Sequence, residues 1–511
     1  MQFTLVPRNQ RVPAQGIDHA YLWIDHWNDY RFVTMFNITL FDEFGQIHEL
    51  GDTKIGFVGQ TTATDTYATL PTTFPGLGDQ YFSLGTDVEY YRALSNVSPS
   101  CRVNFLRGLR DIVDDEHAMG QASGQEVFKT SLLRYVSISV VTEQYKRVLG
   151  GDAPLTNFRF DYVRPQSDRF AEIALNFAVT AGSKPSTNIH AIIGRNGVGK
   201  TTLLNDMISL IMQGTGTLGG FSTTGPFQVV TPLSPVYFSS LVSVSFSAFD
   251  PFTPPLEQTD PERGTRYSYV GLKDPGDQAG KLKTLQALRQ ECLDSLNECF
   301  ADTRKRDRWL NVIRILGSDG NFAQMELQTL LNYSDDERQR VAAWLVSNMS
   351  AGHALVLLTV SKLVARVEEK TIVLLDEPES HLHPPLLSAF TRALSELLHS
   401  RNGVAIVATH SPVVLQEVPR SCVTVITRSR LALSAQRPNI ETFGENVGVL
   451  TREVFGLEVS KSGFHSLLER DVNQSDNYDA IVADYNGQLG QEARGILRAM
   501  LSAPKSDPQR S

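Results

Sequence analysis

Cysteine is scarce in this chain. Only four occur in 511 residues, Cys101, Cys292, Cys299 and Cys422, too few and too scattered for a disulfide framework or a cysteine-ligated zinc site. Cys292 and Cys299 are seven apart and share a helical face, where two small apolar core residues are the plain reading and a redox pair the other. Long apolar runs are missing as well: Ile372 to Leu375 and Ala354 to Leu358 are strand or buried-helix length, far below the roughly 20 residues of a membrane span. No transmembrane helix and no membrane partner are expected. The opening Met1 to Arg8 lacks the charged start, apolar stretch and cleavage site of a secretory signal, so the expected location is cytoplasmic. There is no basic excess either. Lys and Arg number 47 against 56 Asp and Glu, a net charge of -9, so the whole molecule repels a polyanion and nucleic-acid binding would need a local basic patch or a partner.

What is present describes a globular chain. Hydrophobic residues at 41% and charged residues at 20% exclude wholesale disorder. The length allows about three domains or one large domain with insertions. Segments such as Arg31 to Phe41 alternate apolar and polar and predict antiparallel strands in the first sixty residues. Tyr81 to Tyr145 reads as helical, with Gly120 and Gly124 marking a loop inside it. Phe158 to Phe160, Ile173 to Val179 and Ile189 to Ile193 predict strands, the last running into a glycine-rich turn. Residues 248–278 hold prolines and charged turn residues and read as an irregular connection. After them Leu282, Leu285, Leu288, Cys292, Leu296 and Cys299 recur at helical steps, opening a helical insertion at about 279–345 that reads as a compact lever or docking lobe.

Four segments carry chemistry. Gly194-Arg195-Asn196-Gly197-Val198-Gly199-Lys200-Thr201, followed by Thr202, satisfies the P-loop pattern between a strand and an amphipathic helix. Glycines let backbone amides close around phosphates, and the helix start adds its positive end. Lys200 would neutralise the β- and γ-phosphates of ATP, and Thr201 would ligate Mg²⁺. Thr371 to Glu379 puts four apolar residues before Asp376 and Glu377, a buried strand delivering carboxylates where open α/β sheets place ligands; Asp376 would hold Mg²⁺, and Glu377 would deprotonate the attacking water. A plain strand cap is the other reading of these acids. Ser350 and Gly352 open a helix 26 residues before Asp376, either as an N-cap or as an anion-binding terminus completing a neighbouring subunit's site. Val404 to Pro412 adds a buried strand ending in His410, which would sense the γ-phosphate or stand as a structural histidine.

In this order the four segments resemble the ABC-type ATPase superfamily. Asn196, with Asp376-Glu377-Pro378-Glu379-Ser380-His381-Leu382-His383-Pro384, looks like the RecF and SMC side of the superfamily and its OLD-like relatives, not a transporter. The resemblance implies an α/β fold: an ABC-type P-loop ATPase head with a mixed sheet, a helical insertion lobe and a C-terminal helical segment. It divides the chain into an ATPase lobe over 1–275, the insertion at 276–345, a second lobe over 346–460 and helices at 461–511. It also implies a head-to-tail dimer, or a higher even oligomer, in which two ATP lie between the P-loop of one protomer and Ser350 and Gly352 of the other, with Ser380 to His383 as the D-loop. The signature departs at Met349, Ala351 and His353. No glutamine loop is plain; by position it falls at Val242 to Asp250. Tyr30, Arg31 and Phe32 are candidates to stack on adenine, with core roles for the aromatics equally open.

The whole layout is similar to the PtuA ATPases of Septu-type anti-phage systems, including those attached to retrons. That likeness implies a separately encoded HNH-type nuclease, and for retron forms a reverse transcriptase with its RNA–DNA, as partners. Residues 413–511 lack the glutamate and Asp-x-Asp spacing of a nuclease domain. A repair clamp would need a basic face, for which Arg304, Lys305, Arg306, Arg308 and Arg314 are the only cluster, a solvated helix face being the other reading. An ATP-gated scaffold storing an effector, as in PARIS-type ATPases, is the third class. Glu441 to Gly448 reads as a structural turn, a contact with a partner being the other reading.

Overall fold

In the second half of the chain, consecutive strand residues feed two different cores. Ile189, Ala191 and Ile193 enter one and Ile192 the other; Val373 and Leu375 oppose Ile372 and Leu374; Ala405 and Val407 oppose Val404, Ile406 and Ala408. Side chains of a strand alternate between faces, so strands with apolar residues on both faces are covered on both sides. The computed structural model describes residues 1–502 apart from residues 30, 135, 137, 139, 152–154, 167–170, 214–219, 225–229, 235–236, 249, 251, 261–263, 276–280, 430–431 and 460–462.

The central sheet has seven strands in the order Arg266–Gly271, Ser240–Ser245, Ile372–Asp376, Val404–Thr409, Ile189–Gly194, Val423–Ser429, Ala432–Gln436. All pairings are parallel except the last. On one face lies the P-loop helix Lys200–Gln213, burying Leu203, Leu204, Met207 and Ile208 together with a four-stranded antiparallel sheet that supplies Phe160, Phe177 and Phe221. On the other lie the signature helix Ala351–Arg366 and the helix Pro384–Ser400. The sheet therefore stands between the P-loop helix and the signature helix of one chain. This is an α/β arrangement around a mixed sheet, the class read from the motifs.

In this half of the chain two expectations change. The stretch read as an irregular connection at 248–278 contains the edge strand Arg266–Gly271, buried at every position. Its polar groups are matched by tertiary partners: Tyr267 Oη lies 2.7 Å from Ser243 Oγ, and Arg266 donates to the carbonyls of Leu133 and Val136. The insertion, in turn, is built into the core. Leu285–Phe300 packs along the signature helix and Thr303–Leu316 along Pro384–Ser400. Trp309 is wholly buried and donates to Ser361 Oγ at 3.0 Å, and the Lys362 ammonium binds Glu257, Glu291 and the Tyr269 carbonyl. Cys292 and Cys299 are core residues, and burial pushes the Cys292 thiol up to about 12.

Residues 1–149 gather a core of their own, so the stretch expected as one lobe over 1–275 contains two bodies. Six strands lie in the order Thr73–Phe74, Gln2–Val6, His19–Ile24, Met35–Phe41, Ile47–Phe57, Tyr81–Gly85. Tyr81–Gly85 is thus a strand where helix was expected, and the helices of that stretch begin at Val88. Gly120 lies within the helix Glu116–Ser123 and Gly124 caps it, so they do not form the loop expected there. Arginines fasten this body to the second half of the chain: Arg308 and Arg401 both reach Asp87 at 3.1 Å, and Arg147 reaches Glu369 at 3.0 Å. The described C-terminal residues form helices Phe464–Gln474, Tyr478–Asp484 and Gln491–Ser502. No helix among the described residues is long and apolar enough to cross a membrane.

Candidate functional site

Three adjacent parallel strands end at one edge of the sheet. They carry Asp376, His410 and the P-loop, with Asp376 in register with Ala408 and Ile193 with Thr409. Ends of neighbouring parallel strands are where open α/β sheets hold ligands. The P-loop backbone explains its glycines individually. Gly197 and Gly199 have φ of +77° and +104°, and a Cβ on either would meet nothing within 4 Å, so left-handed backbone selects glycine there and leaves an open cradle. Gly194 has a different reason. Its Cβ would stand 2.4 Å from the Ile426 carbonyl, a contact with the neighbouring strand. Arg195, Asn196 and Gly197 are exposed, Val198 is buried, and Thr201 and Thr202 are half-buried at the helix start.

Lys200 is buried, with Nζ donating to the carbonyls of Gly194 at 3.0 Å and Arg195 at 3.2 Å, and Glu377 Oε1 at 4.0 Å. Burial lowers its pKa, against the pull of Glu377, Asp376 and Glu379. Asp376 is the odd member. Burial raises its carboxyl to about 6, the Thr201 hydroxyl bond opposing and the charges of Glu377 and Asp250 adding. Its Oδ1 is buried with no hydrogen-bond partner. An orphaned carboxylate oxygen beside a threonine hydroxyl is the donor chemistry of a divalent-cation site, so Asp376 and Thr201 fit Mg²⁺. Asp250, from the segment expected to hold the glutamine loop, lines the same small cavity as Asp376, Ser243 and Ser245. Phe249 of that segment lies outside the described residues.

Glu377 sits in left-handed backbone at φ 45°, with its amide bonded to the Ala408 carbonyl at 2.9 Å. The His410 hydrogen bond, its charge and Lys200 hold the Glu377 carboxyl below its ordinary value despite partial burial. His410 Nδ1 lies 3.6 Å from Glu377 and 3.1 Å from Glu379. Pairing with Glu377 raises the His410 pKa, burial opposing and the charge of Glu379 adding. Glu379 is nearer, but its Oε1 already accepts from Thr409 Oγ1 at 2.6 Å and the His410 amide at 2.7 Å. Glu379 thus positions the histidine, a role sequence reading did not assign. An acid two residues beyond Glu377 was the available signal.

Ser350 caps the signature helix, accepting from the His353 amide at 3.4 Å. A Cβ on Gly352 would stand 2.6 Å from the His381 carbonyl, so signature and D-loop touch within one chain. With the sheet between them, Ser350 and Gly352 are not gathered with Lys200, Asp376, Glu377 and His410. Of the adenine candidates, Phe32 is buried in the N-terminal core and Tyr30 lies outside the described residues; Arg31 is exposed at φ 76° in that same body. The basic cluster disperses. Lys305 is buried on the Ala365 carbonyl at 3.0 Å, Arg308 pairs with Asp87 and Arg306 with Asp307; the side chain of Arg304 lies outside the described residues. Glu441 accepts three backbone amides and organises a turn, as read.

Comparison with known proteins finds protein ea59 of Escherichia phage lambda, 46% identical over 518 residues that cover 98% of this chain and 98% of that protein. The family described as "AAA domain, putative AbiEii toxin, Type IV TA system" matches residues 301–416, the stretch holding Ser350, Asp376, Glu377 and His410. Among solved structures, an ATP-binding cassette of an ABC transporter in its ADP conformation is 12% identical, covering 60% of this chain and 100% of that one with a TM-score of 0.32. Clostridium perfringens cbiO1, part of the ABC transporter complex cbiONQ, is 16% identical, covering 62% and 94% with a TM-score of 0.31.

Proposed function

The chain belongs to the family of protein ea59 of phage lambda, and on that premise we propose that it is an ATP-binding and ATP-hydrolysing switch whose two states are an open and a closed dimer. One observation carries the reading: Lys200, Thr201, Asp376, Glu377 and His410 meet at one sheet edge, with a buried, unpaired carboxylate oxygen at its centre. ATP would lie on the P-loop, with Mg²⁺ between Thr201 and Asp376 stabilising the transferred phosphoryl charge. Glu377, held ionised, accepts the proton of the attacking water. His410, held more protonated than an ordinary histidine, faces the same space and donates a hydrogen bond there. Ser350 and Gly352 belong to the opposite sheet face, which supports their completing the site of a second chain.

The switch would govern a separately encoded effector in an anti-phage complex, an HNH-type nuclease as in the PtuA layout, alone or with a retron reverse transcriptase and its RNA–DNA. A phage-encoded relative and a matched family described by a toxin–antitoxin system fit a role in conflict between mobile elements. A repair clamp has less support, since of the basic residues it would use Lys305 is buried and Arg308 is paired with Asp87.

The test is Glu377→Gln. Hydrolysis falls by about 10² to 10⁴, nucleotide binding persists, and light scattering in ATP and Mg²⁺ gives a stable dimer or higher even oligomer. Normal turnover in this variant removes Glu377 as the base. A mass that ATP never changes removes the switch. Co-purification with neighbouring gene products then tests the nuclease.

A further inference from the structure

The signature departs from the usual pattern at His353, and the structure shows what that histidine meets. Three elements converge there: Asp319 at the start of the short helix Gly320–Ala323 in the insertion, His353 in the first turn of the signature helix, and His383 at the cap of Pro384–Ser400. His353 Nε2 lies 3.3 Å from Asp319 Oδ1 and His383 Nε2 lies 3.4 Å from Asp319 Oδ2. One ligand atom from each of the three falls within 4.8 Å of the others. The side chains of Asp319 and His353 are 5% and 8% exposed, and His383, at 46%, opens the cluster to solvent.

These separations suit two chemistries, a long hydrogen bond and a shared ion. Charge-assisted N–H···O bonds run to about 2.7–2.9 Å, shorter than either contact. Ligand atoms at about 2.0–2.1 Å around a tetrahedral ion lie about 3.3 Å apart, the edge of that tetrahedron. The second layer is in place too. Ser350 Oγ stands 2.6 Å from His353 Nδ1, and metal-ligating histidines characteristically bond a protein group through the other ring nitrogen. His383 Nδ1 caps its helix, accepting from the Leu386 amide at 3.4 Å, while Nε2 is presented to Asp319; on binding an ion through Nε2 the ring would give up that long cap.

We propose that Asp319, His353 and His383 bind a divalent transition metal, Zn²⁺ by the two-imidazole, one-carboxylate donor set, with a fourth position open to solvent. The ion would tie the insertion, the signature helix and the segment after the D-loop at one point, and through His353 would fix the orientation of Ser350. None of its ligands is Lys200, Thr201, Asp376 or Glu377, so the site stands whether or not the chain hydrolyses ATP.

The experiment strips the full-length protein with a chelator and titrates it with Co²⁺ and with Zn²⁺ in excess Mg²⁺, using Thr201→Ala as the background so that the P-loop site does not contribute. One equivalent per chain is expected, with the visible absorption of low-symmetry four- or five-coordinate cobalt, displaced by Zn²⁺. His383→Gln, at a half-exposed position that leaves folding intact, weakens binding at least tenfold, His353→Gln does the same, and Ser350→Ala weakens it about tenfold through the lost outer partner. Absence of a cobalt spectrum in the stripped protein, or affinity in His383→Gln and His353→Gln equal to that of the protein with both histidines intact, overturns the site.

Discussion

Two buried aspartates in this molecule are held in opposite ways. Asp29, in the N-terminal body, is 1% exposed and meets Lys54 at 2.6 Å, Arg134 at 2.5 Å, Ser131 at 3.1 Å and Trp27 at 3.0 Å. Burial would raise its pKa, but Lys54 and Arg134 outweigh burial and hold it below the ordinary value. Asp376 is 8% exposed, keeps an unpaired oxygen, and is pushed by burial to about 6. A buried charge that is fully matched belongs to the architecture, whereas one left unmatched is strain the fold carries for something absent from the chain itself.

The largest effect tests that contrast directly. Asp29→Asn leaves Lys54 buried beside a neutral amide and should cost about 3–5 kcal/mol in denaturant unfolding, with hydrolysis per folded molecule unchanged. Asp376→Asn should do the reverse: Mg²⁺-dependent hydrolysis is lost and the apo protein is no less stable at pH 8. The pH profiles separate the two as well. Asp29 has a lowered pKa, so its contribution is present above the ordinary 3.8 and is lost as pH falls. Asp376 has a raised pKa, so its contribution is present below 3.8 and is lost as pH rises through about 6. Equal destabilisation by both variants at pH 8 would break the comparison.

A smaller effect concerns Gly352. Its missing Cβ lets the His381 carbonyl approach to 2.6 Å of that position, so Gly352→Ala forces two backbone segments apart at a cost of about 1–3 kcal/mol. The unfolding midpoint should fall without any nucleotide present. If stability holds and only ATP-dependent association is lost, the glycine serves the second chain alone.

Legibility in the sequence followed locality. Ile189 to Thr201 and Ile372 to Glu377 announce themselves because strand, turn and chemistry lie within a dozen residues. Arg266–Gly271 hid because arginine, serine and tyrosine alternate where a buried strand is expected to be apolar, and the partners that satisfy them, Ser243 and the Leu133 and Val136 carbonyls, are remote in sequence. The same holds for charge. Lys305 and Arg308 looked like a basic face, yet one is capped by Ala365 and the other by Asp87. His353 read as a departure from a pattern until Asp319, 34 residues earlier, appeared beside it.

Glu379 combines the two situations in one side chain, and so gives the finest test. Its Oε1 is matched by the Thr409 hydroxyl and the His410 amide, while its Oε2 is buried without a partner. Glu379→Gln keeps an acceptor for the matched side but removes the charge 3.1 Å from His410 Nδ1. The Glu377 pairing that chiefly raises the His410 pKa stays, and the added pull of Glu379 goes. The imidazole then releases its proton at lower pH. The alkaline limb of the kcat profile should shift downward in pH, with kcat reduced about tenfold, the worth of one hydrogen bond to a charged group, and KM for ATP little changed. A profile that stays in place while stability falls would make Glu379 a strand-end brace, grouping it with Asp29.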